Sequence, residues 1–284
     1  MNKREVKLAV ISDVHLGTYG CHAAELNRYL KSIRPEILVI NGDFIDGWQL
    51  SKTYFPETHW KVIKRIINLM MDGTQVYYLT GNHDEVLRKF SGLQLANFHL
   101  EDKLVLNIDG KTCWFFHGDV FDITMRHSKW LAKIGSKGYD LLILLNRAVN
   151  LFLEKTGREK ISLSKKVKDK VKAAVKHISH FERTAAEISV HNRYDYVICG
   201  HIHEPVMKEY AFTTGNTVYL NSGDWVENLT ALEYNHGKWE LVYYKNLHLD
   251  DDTDADLSIH QPSADIVELQ SAFIRITEIS KTGS

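Results

Sequence analysis

Three short apolar runs, LAVIS at 8–12, ILVI at 37–40 and VYYLT at 76–80, are separated by stretches of helical apolar spacing near Ala23–Ile33 and Trp60–Met71. That βαβαβ rhythm is the strongest constraint in the chain, because apolar runs of this kind are strands of a mostly parallel sheet covered by helices. LVLNI and CWFF follow, joined across Asp109-Gly110, a strong hairpin signal, and they add a second layer of strand. After Asp122 the strand pattern stops until YVIC at 196–199, and the residues between read as helices. Strands return in VMKEYAF, TVYLNSG, NLTALEY and KWELVYYK, to about Tyr244, before an acidic stretch, DDDTDAD. The expected organisation is a core of 1–122 and 194–248, a helical insertion of 123–193, and an acidic linker with a loosely ordered tail over 249–284.

A chain of 284 residues, 44% hydrophobic and 25% charged, can bury a sizeable core, and its net charge of −1 argues against a surface built throughout to hold nucleic acid. Cys21, Cys113 and Cys199 are odd in number and widely spaced, which suggests neither a disulfide framework nor a zinc knuckle and fits a reducing compartment. MNKREVK runs straight into a strand without the apolar core of a signal peptide, and no apolar run is long enough to span a bilayer. The expectation is a cytoplasmic protein whose membrane contact, if any, is peripheral on the inner face of the cell membrane.

The chemistry lies at the strand ends. The first strand gives Asp13 and His15, the second Asp43 in NGD, and the third Asn82, His83 and Asp84 in GNHD. The strand before the insertion ends in FFHGD with His117, and the strand after it ends in CGHIH with His201 and His203. In an extended segment residues i and i+2 share a face, so Asp13 and His15 are read as gripping one cation together. A lone D-x-H recurs by chance, and one histidine beside a strand is usually structural. Five such clusters, each next to a glycine, are not explained that way, since ligands in open α/β sheets sit outside the carboxyl ends of the strands.

Asp, His and Asn donors without cysteine suit manganese, iron or zinc better than calcium or magnesium. Seven ligands are too many for one such ion and suffice for two if one carboxylate bridges. Two ions about 3.5–4 Å apart lower the pKa of a bound water and clamp the oxygens of an in-line displacement at phosphorus. Phosphoester or pyrophosphate hydrolysis by metal-bound hydroxide follows as the expected reaction.

DVH, GD, GNHD, HGD and GHIH, in that order over roughly residues 6–245, resemble the signature of the calcineurin-like metallophosphoesterases. The resemblance implies an αββα sandwich, one ion held by Asp13, His15 and His203, a second by Asn82, His117 and His201, and Asp43 bridging them. It also implies that His83 is the catalytic histidine that is not a ligand, with Asp84 orienting it. Imidazole suits that role, because it donates a proton to an alkoxide near neutral pH.

Within that superfamily, the helical insertion after HGD and the phrase LNSGDWVENLTALEY resemble the UDP-2,3-diacylglucosamine pyrophosphatases of lipid A synthesis. That resemblance implies a lid over acyl chains and a lipid-linked or nucleotide-linked phosphate substrate. Between Gly157 and Arg193 ten Lys/Arg stand against four Asp/Glu, and LLILL with LFL adds apolar surface suited to an acyl chain or an anionic bilayer. A hairpin burying that stripe against itself is the structural alternative. Trp130 and Trp225 are read as lining such a pocket or filling core. One residue departs: the best-studied pyrophosphatases of this group have arginine where His83 stands. The alternative functions are a soluble phosphomonoesterase or phosphodiesterase and a non-catalytic interaction module. A nuclease fits less well, because the basic residues sit in one insertion and no base-stacking aromatic set accompanies them.

Overall fold

The structure is a computed structural model that describes residues 3–47, 54–124 and 178–249. The expected lid helices lie largely outside those residues, as do Trp130 and the tail beyond residue 249. By compactness the chain divides into one unit of Met1–Asp119 with Ile188–Ser284 and another of Val120–Glu187. In the described part of the smaller unit, Phe121 and Phe181 meet edge to face at 5.4 Å.

The first strands and helices of the larger unit are β1 (Arg4–Ile11), α1 (Ala23–Ser32), β2 (Ile33–Asn41), α2 (Glu57–Met71), β3 (Gln75–Leu79), β4 (Leu93–Leu95) and β5 (Phe98–Glu101). They are followed by β6 (Lys103–Ile108), β7 (Lys111–Phe116), β8 (Tyr196–Cys199), β9 (Val206–Phe212), β10 (Gly215–Asn221), β11 (Thr230–Asn235) and β12 (Lys238–Tyr243). One sheet runs β12-β11-β1-β2-β3-β5-β4, and the second runs β6-β7-β8-β10-β9. In the first, β1, β2, β3 and β5 are parallel, with Ile11 opposite Ile40 and Asn41 opposite Leu79. That register brings the carboxyl ends of three strands to one level.

Alternation along β1 shows why the apolar runs are continuous. Leu8 and Val10 point into a core between the sheets with Cys113, Phe115, Ile198 and Leu220, while Ala9 and Ile11 point to a core with Leu26 and Leu30 of α1 and Val62 and Ile66 of α2. Both faces are dry, and full burial of one such Leu, Ile or Phe side chain is worth roughly 1.5–3 kcal/mol. Val62, Ile66 and Leu69 fall on one face of α2, which ends in a Schellman closure with Thr74 N–H on Leu69 O and Gly73 N–H on Met70 O, both 3.0 Å.

The β6–β7 hairpin forms as expected, and its two turn residues, Asp109 and Gly110, have φ of 51° and 78°. Two features differ from expectation. The strand ends that carry the polar clusters belong to both sheets, and β4 with β5 adds an exposed edge to the first sheet that the sequence pattern did not announce. Trp225 fills core: it is fully buried against Tyr29 and Tyr244, with ring centroids 5.4 and 6.3 Å away.

Candidate metal centre

Beyond the ends of β1 and β2 the two chains stay zipped. Asp13 N–H donates to Gly42 O (3.1 Å), His15 N–H to Asp43 O (2.9 Å), Leu16 N–H to Phe44 O (2.8 Å) and Asp46 N–H to Leu16 O (2.9 Å). This segment is not extended strand, which corrects the reason expected for the shared aim of Asp13 and His15. Both stand in the left-handed region, at φ 52° and 54°, and so do Asp43, His201 and His203 at 49°, 67° and 55°. Asp and His are among the few residues with a side chain that tolerate this conformation, which costs about 1–3 kcal/mol at each position and persists only where the surroundings over-determine it.

Two glycines make the convergence possible. A Cβ on Gly81 would lie 2.2 Å from Asp43 Oδ1, and one on Gly200 would lie 2.5 Å from Asp13 Oδ2. The glycine preceding Asn82 and the glycine preceding His201 therefore let carboxylates of other strands press against the backbone. Those carboxylates also accept amides across the site, Asp13 Oδ2 from His201 N–H (2.9 Å) and Asp43 Oδ1 from His83 N–H (2.7 Å).

The side chains gather into three overlapping groups: Asp13, His15 and His203; His15, Asp43 and His83; and Asp43, His117 and His201. In each, one ligand atom per residue lies within 4.8 Å of the others. His203 Nε2 is 3.1 Å from Asp13 Oδ1, and His117 Nε2 is 3.2 Å from Asp43 Oδ2. Asn82 is buried beside Gly81. Asp13 Oδ1, His15 Nε2, Asn82 Oδ1 and His117 Nε2 are all buried without an aligned hydrogen bond, a costly state for polar atoms that have nothing to hold. Short approaches without alignment are what atoms sharing a cation require, so the donor set fits divalent ions.

Electrostatics agree. Burial pushes Asp13 up, but the His203 and His117 imidazoles outweigh it and hold the carboxyl at about 2; Asp43 is likewise driven down by His117 against the effect of burial. Burial lowers His203 and His117, but facing carboxylates, Asp13 and Asp43 first respectively, lift His203 to about 9 and His117 well above its usual range. The cluster is therefore one of anions that draw positive charge toward the rings facing them.

Behind the groups sit residues that fix their orientation. Asn41 O is 2.9 Å from His117 Nδ1, which leaves Nε2 facing Asp43. Asp84, expected to orient the His83 ring, has both oxygens engaged by other partners. Its Oδ1 accepts Gly81 N–H (2.6 Å), and its Oδ2 accepts Phe44 N–H (3.0 Å) and Tyr78 O–H (2.6 Å), so it ties the second and third loops together. Asp46, itself buried, stands 3.0 Å from His83 Nδ1. The Asp84 carboxylate is taken up by Gly81, Phe44 and Tyr78, whereas Asp46 reaches the ring from the neighbouring loop. Burial lowers His83, and Asp46 and Asp43 more than offset this, so its pKa is raised.

The family model for the calcineurin-like phosphoesterases matches residues 6–205. The chain belongs to this family. It is a metal-dependent phosphohydrolase with the two-sheet α/β fold, of a family that uses a dinuclear metal site. Among its relatives, a protein of Aliivibrio fischeri (strain MJ11) named UDP-2,3-diacylglucosamine hydrolase is 25% identical over 215 residues, 74% of this chain and 86% of that protein. One of the same name from Ectopseudomonas mendocina (strain ymp) is 25% identical over 250 residues, 83% of this chain and 99% of its own. Another, from Ralstonia nicotianae, is 31% identical over 131 residues, 43% of this chain and 48% of its own. Similar solved structures include an archaeal phosphodiesterase (TM-score 0.41, 14% identity, covering 83% of this chain and 98% of that one) and a dimetal phosphatase from Danio rerio (TM-score 0.39, 13% identity, covering 84% and 98%). Among the described residues no helix is long and apolar enough to cross a membrane.

Proposed function

We propose that Asp13, His15 and His203 hold one divalent ion, Asn82, His117 and His201 hold a second, and Asp43 serves both. The observation that carries this is that Asp43 shares one group with His15, a member of the first set, and another with His117 and His201 of the second. Ions of the manganese, iron or zinc class, manganese first, would supply an acidified water and positive charge for the phosphoryl oxygens when bound there. The chain's own residues then position and move protons. With Nδ1 held by Asp46, His83 presents Nε2 toward Asp43, 3.9 Å away, where its proton is available to the leaving oxygen. Asp84 keeps the loops carrying Asp43 and His83 in register.

The proposed substrate is UDP-2,3-diacylglucosamine or a related lipid-linked phosphate, hydrolysed at the cytoplasmic membrane face. Relatives of that name that match most of this chain support it, as does the basic, apolar insertion proposed as a lid over 123–193. One observation favours a second reading, a broad phosphomonoesterase or phosphodiesterase: His83, backed by Asp46, is equipped to protonate a poor alkoxide leaving group, which a pyrophosphate does not require.

Measuring kcat/KM with added Mn²⁺ on UDP-2,3-diacylglucosamine, p-nitrophenyl phosphate and bis-p-nitrophenyl phosphate separates the two. The nucleotide lipid should be preferred by orders of magnitude. Equal or better turnover of the chromogenic esters would establish the second reading, and full activity after exhaustive chelation, with metal absence verified, would refute both.

A further inference from the structure

The segment Ser222–Asn228, SGDWVEN, supplies no proposed ligand, yet it is fastened to the backbone of two of them. Trp225 N–H donates to Asp13 O (3.1 Å), and Asn228 Nδ2 donates to His203 O (2.8 Å). Asp13 and His203 are left-handed residues, at φ 52° and 55°, and their Oδ1 and Nε2 approach to 3.1 Å. Backbone in that conformation needs neighbours to hold it.

The segment is rigid for identifiable reasons. Asp224, fully buried, accepts Val226 N–H (2.7 Å), Glu227 N–H (2.5 Å) and Asn228 N–H (3.3 Å) on Oδ1, and Asn228 Nδ2 (2.6 Å) on Oδ2. The Asn228 amide thus uses both its hydrogens, one on Asp224 and one on His203 O. Ser12 Oγ donates to Gly223 O (2.9 Å), Thr230 Oγ1 donates to Ser222 O (2.7 Å), and the Trp225 ring is anchored in core. Asp224 also stands behind the His203 ring, 4.0 Å from Nδ1.

We infer that Asn228, held by Asp224, is a positioning residue that sets the affinity of the ion assigned to Asp13, His15 and His203. The inference rests on that ligand assignment and extends it to residues with no metal-binding chemistry of their own. Outer partners of metal ligands typically contribute 10–100-fold in affinity.

The test is Mn²⁺ binding to the full chain, followed by titration calorimetry and by the electron paramagnetic resonance of the loaded protein. Asn228→Ala is expected to weaken one of two binding events by about 10–100-fold while leaving the other in place, and to replace the exchange-coupled pair signal by that of single ions at limiting Mn²⁺. Excess Mn²⁺ should restore the pair signal, and Asn228→Gln should retain part of the affinity. A lower melting temperature of the metal-free protein with both affinities unchanged would show a merely structural role and overturn the inference. Should Asn228→Ala not fold, Asp224→Asn, which keeps the Oδ1 acceptor and loses the second, carries the same comparison. His203→Gly separates the two levels of argument. Loss of one ion in that variant with normal affinities in Asn228→Ala overturns the positioning role alone, while two tightly bound ions in His203→Gly overturn the ligand assignment and the inference with it.

Discussion

The group around His117 and the group around His203 use the same kinds of side chain and differ in their distance from water. The His117 ring is fully enclosed, with a backbone carbonyl on one nitrogen and Asp43 at the other. The His203 side chain keeps 36% of its surface exposed, and behind it stands Asp224 at 4.0 Å. His117 follows β7 directly and is held by the end of β2, so the sheets fix it; His203 stands four residues past β8 and is held through its backbone by a loop. One end of the centre is built by parallel-sheet register, the other by loop hydrogen bonds, and the second should exchange its ion more readily.

The largest effect should come from the residue that joins the two ends. Asp43→Asn, which keeps the shape and drops the charge, is expected to depress kcat by more than the about 100-fold that loss of an outer partner can cost. Near-normal kcat with two ions bound, by elemental analysis, would remove Asp43 from both groups.

The comparison itself is tested by His117→Ala beside His203→Gly. The enclosed group should lose its ion irrecoverably, whereas activity of the His203 variant should return in part at millimolar Mn²⁺, where mass action refills the weakened site. Rescue of the His117 variant alone would reverse the assignment of rigid and yielding ends.

His83 lies between the groups. His83→Arg should slow alkyl phosphate hydrolysis by roughly 10²–10⁴-fold and barely alter pyrophosphate hydrolysis, provided metal content is unchanged. Asp46→Asn should do less and should also move the pH profile. His83 donates only while protonated, the Asp46 carboxylate 3.0 Å from Nδ1 favours that form, and activity is lost as pH rises through the pKa of the ring. Removing the Asp46 charge should therefore shift the basic limb of kcat to lower pH, and an unmoved limb would dissociate Asp46 from the proton transfer.

The smallest effect is calorimetric. Burial lowers His203, Asp13 more than offsets it, and the pKa of about 9 leaves the metal-free ring protonated near neutrality. Mn²⁺ must then displace that proton, so affinity should fall as pH drops below about 9, and the binding heat should depend on the ionisation enthalpy of the buffer. Identical heats in two such buffers at pH 7.5 would contradict this.

What the sequence disclosed follows the same division. β1, β2 and β3 were legible because burial on both faces makes them unbroken apolar runs, and Asp13, His15, Asp43, His117, His201 and His203, whose ligand atoms the structure gathers, stand out as ligand types beside glycine at the strand ends. β4 and β5 were not, since Leu93–Leu95 is an exposed three-residue edge with no face to pattern. Nor was the sheet to which each cluster belongs, because register is a long-range property. Asp46, Asp224 and Asn228 went unnoticed because a residue that acts on another's backbone or ring carries no spacing rule of its own; for Asp46 the available signal was a second aspartate three positions after Asp43. The Gly81, Phe44 and Tyr78 partners of Asp84 carry no spacing rule either.

The left-handed backbone at Asp13, His15, Asp43, His201 and His203 also limits how this centre can change over generations. Such positions accept Asp, Asn, His and Gly, and penalise Val, Ile and Thr on conformation alone before any chemistry is lost. Asp and Asn, Asp and Gly, and His and Asn are single-base neighbours, so a descendant released from selection for hydrolysis drifts first to Asn or Gly there while its loops stay folded. Decay of function and decay of fold are thereby uncoupled at these five positions, and an inactive descendant would keep the shape of the centre and advertise its loss in those two letters.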